Sequence, residues 1–278
     1  MKILFVAAEV APFVSVGGLS QVMYFLPKAL RGLGHDVRVF TAKYGAMDET
    51  APNKEWKLQT IFSQLAVPLD EIPDEKNSLI CNVKSYYDEK TKITTYFLEN
   101  REYYELRANV FGYKDDHLRF ALLSKGALEW LYQMRQPEQD AWWPDVIHCH
   151  DWHTGYFIDL ARRHYRYQPL FKKTPLALTV HNFCFQGNYD FRYAPKENFD
   201  YGKIMLAPLN SPNLQMQNAL KRGILFADAV NTVSPTHAVE VLTPEYAEGL
   251  DDVLAETREK LTGILNGLDT KKFNPATD

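Results

Sequence analysis

Residues 148–153, His148-Cys149-His150-Asp151-Trp152-His153, place three imidazoles beside a carboxylate. Such donors suit zinc. Against that reading, His148 and His150 fall on one face of a strand, His153 starts a helix pointing elsewhere, and no fourth ligand has clear spacing. A polar rim for sugar hydroxyls uses the same groups, with Asp151 accepting and a histidine donating. Histidines satisfying buried backbone groups are the structural alternative. A second concentration, His181-Asn182-Phe183-Cys184-Phe185-Gln186-Gly187, follows an apolar run at 176–180. Cys184 could be a nucleophile, but between two phenylalanines it reads as a buried thiol. His181 is the first functional candidate. A third segment runs from Glu9 to Leu19 and carries Gly17-Gly18 at a helix amino terminus. Free N–H groups and the helix dipole there suit an anion such as a diphosphate. The plainer alternative is a tight turn that needs positive φ.

These loops can act together only if a scaffold gathers them. Residues 3–8 are a continuous apolar run of strand length, as a parallel strand covered on both faces would be. Residues 19–33 carry apolar side chains at helical spacing, with Pro27 expected to kink the helix and Gly32 and Gly34 to close it. A second strand at 36–41 completes a βαβ unit, whose crossover implies parallel strands. Runs at 56–68, 79–87 and 93–98 read as strands without intervening helices, an antiparallel hairpin excursion. Helices are expected at 115–135, 154–166 and 214–226, strands at 146–149, 176–180 and 229–232, and a last apolar run at 261–265. Ser234-Pro235 starts a helix, with Ser as cap and Pro in the first position. The pattern predicts a doubly wound α/β sheet of roughly six or seven strands, in one domain over 1–278. Ligands of such sheets bind outside the carboxyl ends of the strands. That rim would hold the loops at 9–18, 148–154, 181–187 and 231–236.

The chain has 278 residues, 46% hydrophobic and 24% charged, which excludes a disordered chain, a collagen-like repeat or a coiled coil. Lys and Arg number 31 against 35 Asp and Glu, a net charge of −4, so a nucleic-acid partner is not expected. No apolar run approaches membrane-helix length, so no membrane partner is expected either. Three cysteines without CxxC spacing point to a reducing compartment, read as the cytoplasm. Aromatic residues, at 13%, hint at carbohydrate handling, because a ring face covers the C–H face of a sugar.

Five stretches together resemble the bacterial glycogen and starch synthases. They are 9–19 (family pattern E-x-x-P-x-x-K-x-G-G-L), 150–155 (His150-Asp151-Trp152-His153-Thr154-Gly155), Thr179-Val180-His181-Asn182 through Gln186-Gly187, 231–236 (Asn231-Thr232-Val233-Ser234-Pro235-Thr236), and 263–269 with 274–278. The resemblance implies a Rossmann-like domain, the amino-terminal half of a GT-B glycosyltransferase, with the β-hairpin region inserted. It implies glucose transfer from ADP-glucose or UDP-glucose to the non-reducing end of an α-1,4-glucan. His181 and Asp151 would be catalytic. Ser15, Gly17, Gly18, Gln21, Asn182, Gln186 and Asn266 would contact substrate or donor, and His150, Trp152, His153 and Tyr104 the acceptor glucan. No cofactor and no metal are implied. Two positions depart from the family: Ser15 stands where it has Lys, and Gln21 where it has Asp. The carboxy-terminal nucleotide-binding domain is not in this sequence, so its partner would be such a half, on another chain or in a longer protein. Alone, the chain is expected to be weakly active or inactive. The alternatives are a catalytically degenerate half-domain that binds glucan or regulates a synthase, and a metal hydrolase built on His148, His150, Asp151 and His153.

Overall fold

The computed structural model describes residues 1–47, 56–70, 75–135, 142–187, 189–191, 195, 198–270 and 273–277. Among these residues nine strands form one sheet: β1 Lys2–Val6, β2 Asp36–Ala42, β3 Gln59–Pro68, β4 Ser78–Asp88, β5 Ile93–Glu99, β6 Val146–His150, β7 Leu176–Val180, β8 Ala229–Thr232 and β9 Leu261–Gly263, in the order β3-β4-β5-β2-β1-β6-β7-β8-β9. Pairing is parallel except at β3–β4 and β4–β5. The sheet is therefore larger than six or seven strands. Because β5 pairs parallel with β2, the hairpin excursion extends the sheet instead of leaving it, and the short last apolar run adds an edge.

Strand order reverses at β1, which has β2 on one side and β6 on the other. The loops after β1 and β6 diverge there and open a crevice at the carboxyl ends of these strands. Alternation along β1 sorts its side chains between two cores. Ile3, Phe5 and Ala7 pack with Leu19 and Met23 of α1 (Gly18–Gly32). Leu4, Val6 and Ala8 face the larger core, shared by α2 (Asp116–Met134), α3 (Gly155–Arg163) and α5 (Ala219–Phe226), with α4 spanning Gln168–Phe171. Two short helices follow, α6 (Pro235–Glu240) and α7 (Asp251–Glu256).

Local signals explain most helix ends. The helix α1 runs through the buried Pro27 without ending. It stops in a Schellman turn, with Gly34 at φ 88°, His35 N–H donating to Leu30 O and Gly34 N–H to Arg31 O. Ser234 caps α6 by accepting from His237 N–H, with Pro235 at the first position. The helix expected over 214–226 is instead two pieces, a 3-10 segment Pro212–Met216 and α5, because Asn218 accepts from Lys221 N–H and starts a new helix. Helix α3 likewise begins after a 3-10 turn, Trp152–Thr154. Helices α3 and α5 meet at bare backbone: a Cβ on Gly155 would lie 1.9 Å from Ala219 O, which fixes how the 151–155 turn sits against residue 218 and its helix.

Candidate active site

The turn that enters α1 is tied to Glu9, while no side chain caps the first residues of the helix. The buried Glu9, at the carboxyl end of β1, accepts from Val16 N–H at 2.7 Å and Gly17 N–H at 3.0 Å. A Cβ on Gly17 would stand 3.2 Å from Glu9 Oε1, so the glycine is there to let the carboxylate close in. The expected anion site at Gly17-Gly18 thus has its Gly17 N–H engaged by Glu9. Its turn already holds an anionic side chain, placed where the helix dipole favours one. Gly18 remains exposed. Beside it, Ser20 Oγ–H donates to Gly17 O at 2.8 Å, so Ser15 Oγ–H is the donor in the 2.7 Å contact with Ser20 Oγ. Gln21 Nε2 reaches Ser15 Oγ at 3.4 Å. Ser15 and Gln21 are joined in one neutral chain of hydroxyls and amide.

The other side of the crevice is built on histidines. His148 and His150 project from β6 toward the α1 face and stack at 4.5 Å between ring centroids, with Phe5 against both. The ring of His181 lies nearly coplanar with that of His150, at 5.3 Å between centroids and 20°. Thr179 Oγ1–H donates to Asn231 Oδ1, so His148 Nε2–H donates to Thr179 Oγ1 at 2.7 Å. His150 Nδ1 and His181 Nε2 lie 3.0 Å apart, and His150 Nε2 is buried without a partner. If His181 donated, His150 would carry its proton at Nε2 as a buried orphan donor. If His150 donates from Nδ1, the orphan is only a lone pair, which costs less. His150 is therefore assigned the Nδ1–H tautomer, and His181 carries its proton on Nδ1.

Burial holds these rings neutral. It lowers His148 to about 4, with the neighbouring His181 adding to the effect, and lowers His181 itself to about 4. His150 is pushed well below its usual value by burial and both neighbours. Burial and Arg119 take His153 to about 3.

Asp151 ends β6 at φ 58° and ψ −177°. Its Oδ1 accepts from His181 N–H at 2.7 Å, and the carboxylate also bonds Asn182 N–H. Burial raises its pKa to about 7 against the lowering effect of those two bonds. Thus Asp151 grips the backbone of the second loop at its first two residues. Asn182 Oδ1 then accepts from Cys184 N–H, turning the chain. Cys184, which is half-buried, has its Sγ 3.1 Å from Glu248 Oε1.

The structure thus brings together the loops read as a rim. Asp151 contacts His181 directly, and Gly18 shares with His150 the wall of a cavity of about 840 Å³. Gln21, Thr179, Asn231 and Asn266 also line it. The four residues expected at the acceptor glucan all lie below the surface. Tyr104 is fully buried, its hydroxyl donating to Arg119 O. Trp152 and His153 pack together at 4.2 Å against Phe120, and His150 has no exposure to bulk water. Their side chains support the rim from below. Gln186 is also buried, with both ends of its amide bonded to protein. Among the described residues, no three His, Cys, Asp or Glu side chains are grouped to hold a metal ion. Sequence reasoning missed Glu9 as a ligand of the glycine turn and His148, Thr179 and Asn231 as a relay. The i, i+2 spacing of His148 and His150 on one strand was the available signal for the second.

The titrations give a pH prediction. The unfolded chain binds a proton on each of the four histidines below about pH 6.5, whereas the folded chain does not until much lower pH. They therefore withdraw stability as pH falls from 6.5 toward 4. Asp151 acts oppositely, since the folded state binds its proton first. Four imidazoles outweigh one carboxyl, so the urea midpoint is expected to fall steadily between pH 7 and pH 5. A midpoint that is flat or rises over that interval contradicts the buried neutral stack.

The model of the starch synthase catalytic domain matches residues 2–256. Glycogen synthase of Caldicellulosiruptor saccharolyticus is 37% identical over 284 residues, covering 100% of this chain and 54% of that protein. Glycogen synthase 1 of Synechocystis is 36% identical, covering 100% of this chain and 50% of that one. Among solved structures, the catalytic domain of Starch Synthase IV from Arabidopsis thaliana, bound to ADP and acarbose, aligns with a TM-score of 0.76 and 30% identity, covering 99% of this chain and 53% of that one. The chain spans about half the length of these relatives.

Proposed function

The chain belongs to the starch synthase catalytic-domain family, and from that premise we propose that it forms the glucan-side half of a retaining glucosyltransferase. The reaction moves glucose from a sugar nucleotide, ADP-glucose or UDP-glucose, to the non-reducing end of an α-1,4-glucan. A carboxy-terminal half supplies the opposite wall, with the cations that hold the donor diphosphate. The observation that carries this reading is the pinned loop at the switch-point crevice: Asp151 holds the His181 and Asn182 backbone, and the ring of His181 is fixed by His150.

Each group then has a chemical task. His181, neutral and protonated on Nδ1, donates a hydrogen bond to a sugar oxygen near the reacting carbon. With Nε2 engaged and a pKa of about 4, it is not the base. The bond from the anomeric carbon to the diphosphate breaks, the bond to the glucan O4 forms, and the departing diphosphate takes the proton from that hydroxyl. The protein contributes position and oriented dipoles. Glu9 shapes the Gly17 turn, and Ser15 with Gln21 offers no charge, so donor affinity depends on the second half. Among the described residues no helix is long and apolar enough to cross a membrane, and the three cysteines are free thiols, which fits a cytoplasmic setting. The glucan-binding alternative is less favoured because the His181–Asp151 constellation is intact.

The test supplies the complete protein, this chain continuous with its second half, with glycogen and either labelled sugar nucleotide. Label is expected in glycogen and released by an exo-acting α-1,4-glucanase. Glycogen binding with no incorporation from either donor overturns the reading in favour of the binding module.

A further inference from the structure

We propose that Asn218 is a positioning residue that locks the His181–Gly187 loop through a buried amide pair with Gln186, an inference that rests on the transfer site proposed above. Asn218 sits one residue before α5 and uses all of its polar groups. Its Oδ1 accepts from Lys221 N–H at 2.9 Å, and its backbone N–H donates to Asp200 Oδ2 at 2.8 Å. Its Nδ2 donates to Gln186 Oε1 at 2.6 Å. Both side chains are buried.

Gln186 is saturated in turn. Its Nε2 donates to Phe183 O at 3.0 Å, inside the loop, and to Glu248 O at 2.7 Å, across from it. Its backbone O accepts from Leu220 N–H at 3.3 Å. The two amide orientations are fixed by these partners: Gln186 must turn its oxygen to Asn218, because its nitrogen faces two carbonyls. On the far side, Asp200 is held by Arg222 through Nε at 2.6 Å and Nη2 at 3.0 Å, while Arg222 Nη1 bonds Asp159 Oδ2 at 2.7 Å. Asp151 thus pins the start of the loop and the Asn218–Gln186 pair pins its end. A loop anchored at both ends presents His181 and Asn182 in one pose, which is how a site built on a loop gains the precision that transfer needs. A buried, fully satisfied polar network also enforces one arrangement, because breaking any member strands others.

Two variants test the lock from its two sides. Asn218→Ser keeps a neutral helix cap but is too short to reach Gln186. Gln186→Met leaves the cap untouched. In the complete protein, backbone amide exchange over residues 181–187 is expected to rise at least about tenfold in each, while β7 and α5 keep their protection. In transfer assays kcat is expected to fall about tenfold, with the glucan KM nearly unchanged. The proposal is overturned if loop exchange is unchanged, if β7 loosens equally, or if the loop loosens while kcat holds. Selective loosening in a protein whose parent shows no transfer leaves the lock standing and removes the transferase reading instead.

Discussion

Replacing His181 with alanine in the complete protein is expected to lower kcat for glucose transfer by about 100- to 1,000-fold, the usual effect of removing one oriented donor from a reacting centre. The ring is held on one edge by His150 at 3.0 Å, which itself stacks on His148. Its removal therefore deletes a fixed dipole without deleting a charge. Two signatures separate this role from general base catalysis. The wild-type pH–rate profile should show no limb near 6.5 from His181, because burial lowers its pKa to about 4. Added imidazole should not restore turnover, because it supplies a base without the orientation. A variant within threefold of wild type, or one rescued by imidazole, contradicts the assignment.

Asp151→Ala should be the most damaging single change, because it acts on fold and site together. It strips the acceptor from the part-buried His181 N–H, at about 1–3 kcal/mol for a donor left unpaired, and from the exposed Asn182 N–H at less. Alanine also inherits φ 58° with ψ −177°, a region nearly reserved for glycine that costs about 1–3 kcal/mol elsewhere. Asp151→Gly relieves the backbone but not the lost bonds, so it should lie between wild type and Asp151→Ala in urea midpoint. Asp151→Asn keeps one acceptor oxygen and should be milder than either. All three should lose transfer, Ala and Gly at least as severely as His181→Ala. Equal stability of the Ala and Gly variants would show that the turn stores no strain. Retained activity in Asp151→Gly would show that the grip on the loop is dispensable.

What could be read in advance follows from the range of the interaction. The apolar run after Lys2, the Ser234-Pro235 cap and the Gly34 stop are set by neighbours within a turn, and each stands where its residue types place it. The rim was legible as well, since a parallel sheet obliges its strand-end loops to gather. The individual contacts were not. Glu9 meets Gly17, His150 meets His181 and Gln186 meets Asn218 across 8, 31 and 32 residues, through packing that no local pattern encodes. Tyr104 and Trp152 show the same limit from the other side. An aromatic suits a sugar face or a core equally well, and only the helices closing over the sheet put these two inside. The resemblance to glycogen synthases pointed to these loops, while burial decided which side chains in them remain accessible.

Under the proposed reading this chain is one wall of a two-walled site, and the direct measurement is glucose transfer to glycogen by the two halves, apart and together. The 278-residue chain alone should transfer no glucose above background, as should a separately produced carboxy-terminal half, and mixing them should restore incorporation. Robust transfer by this chain on its own would contradict that reading, because the donor diphosphate would then be held without the cations of a second half.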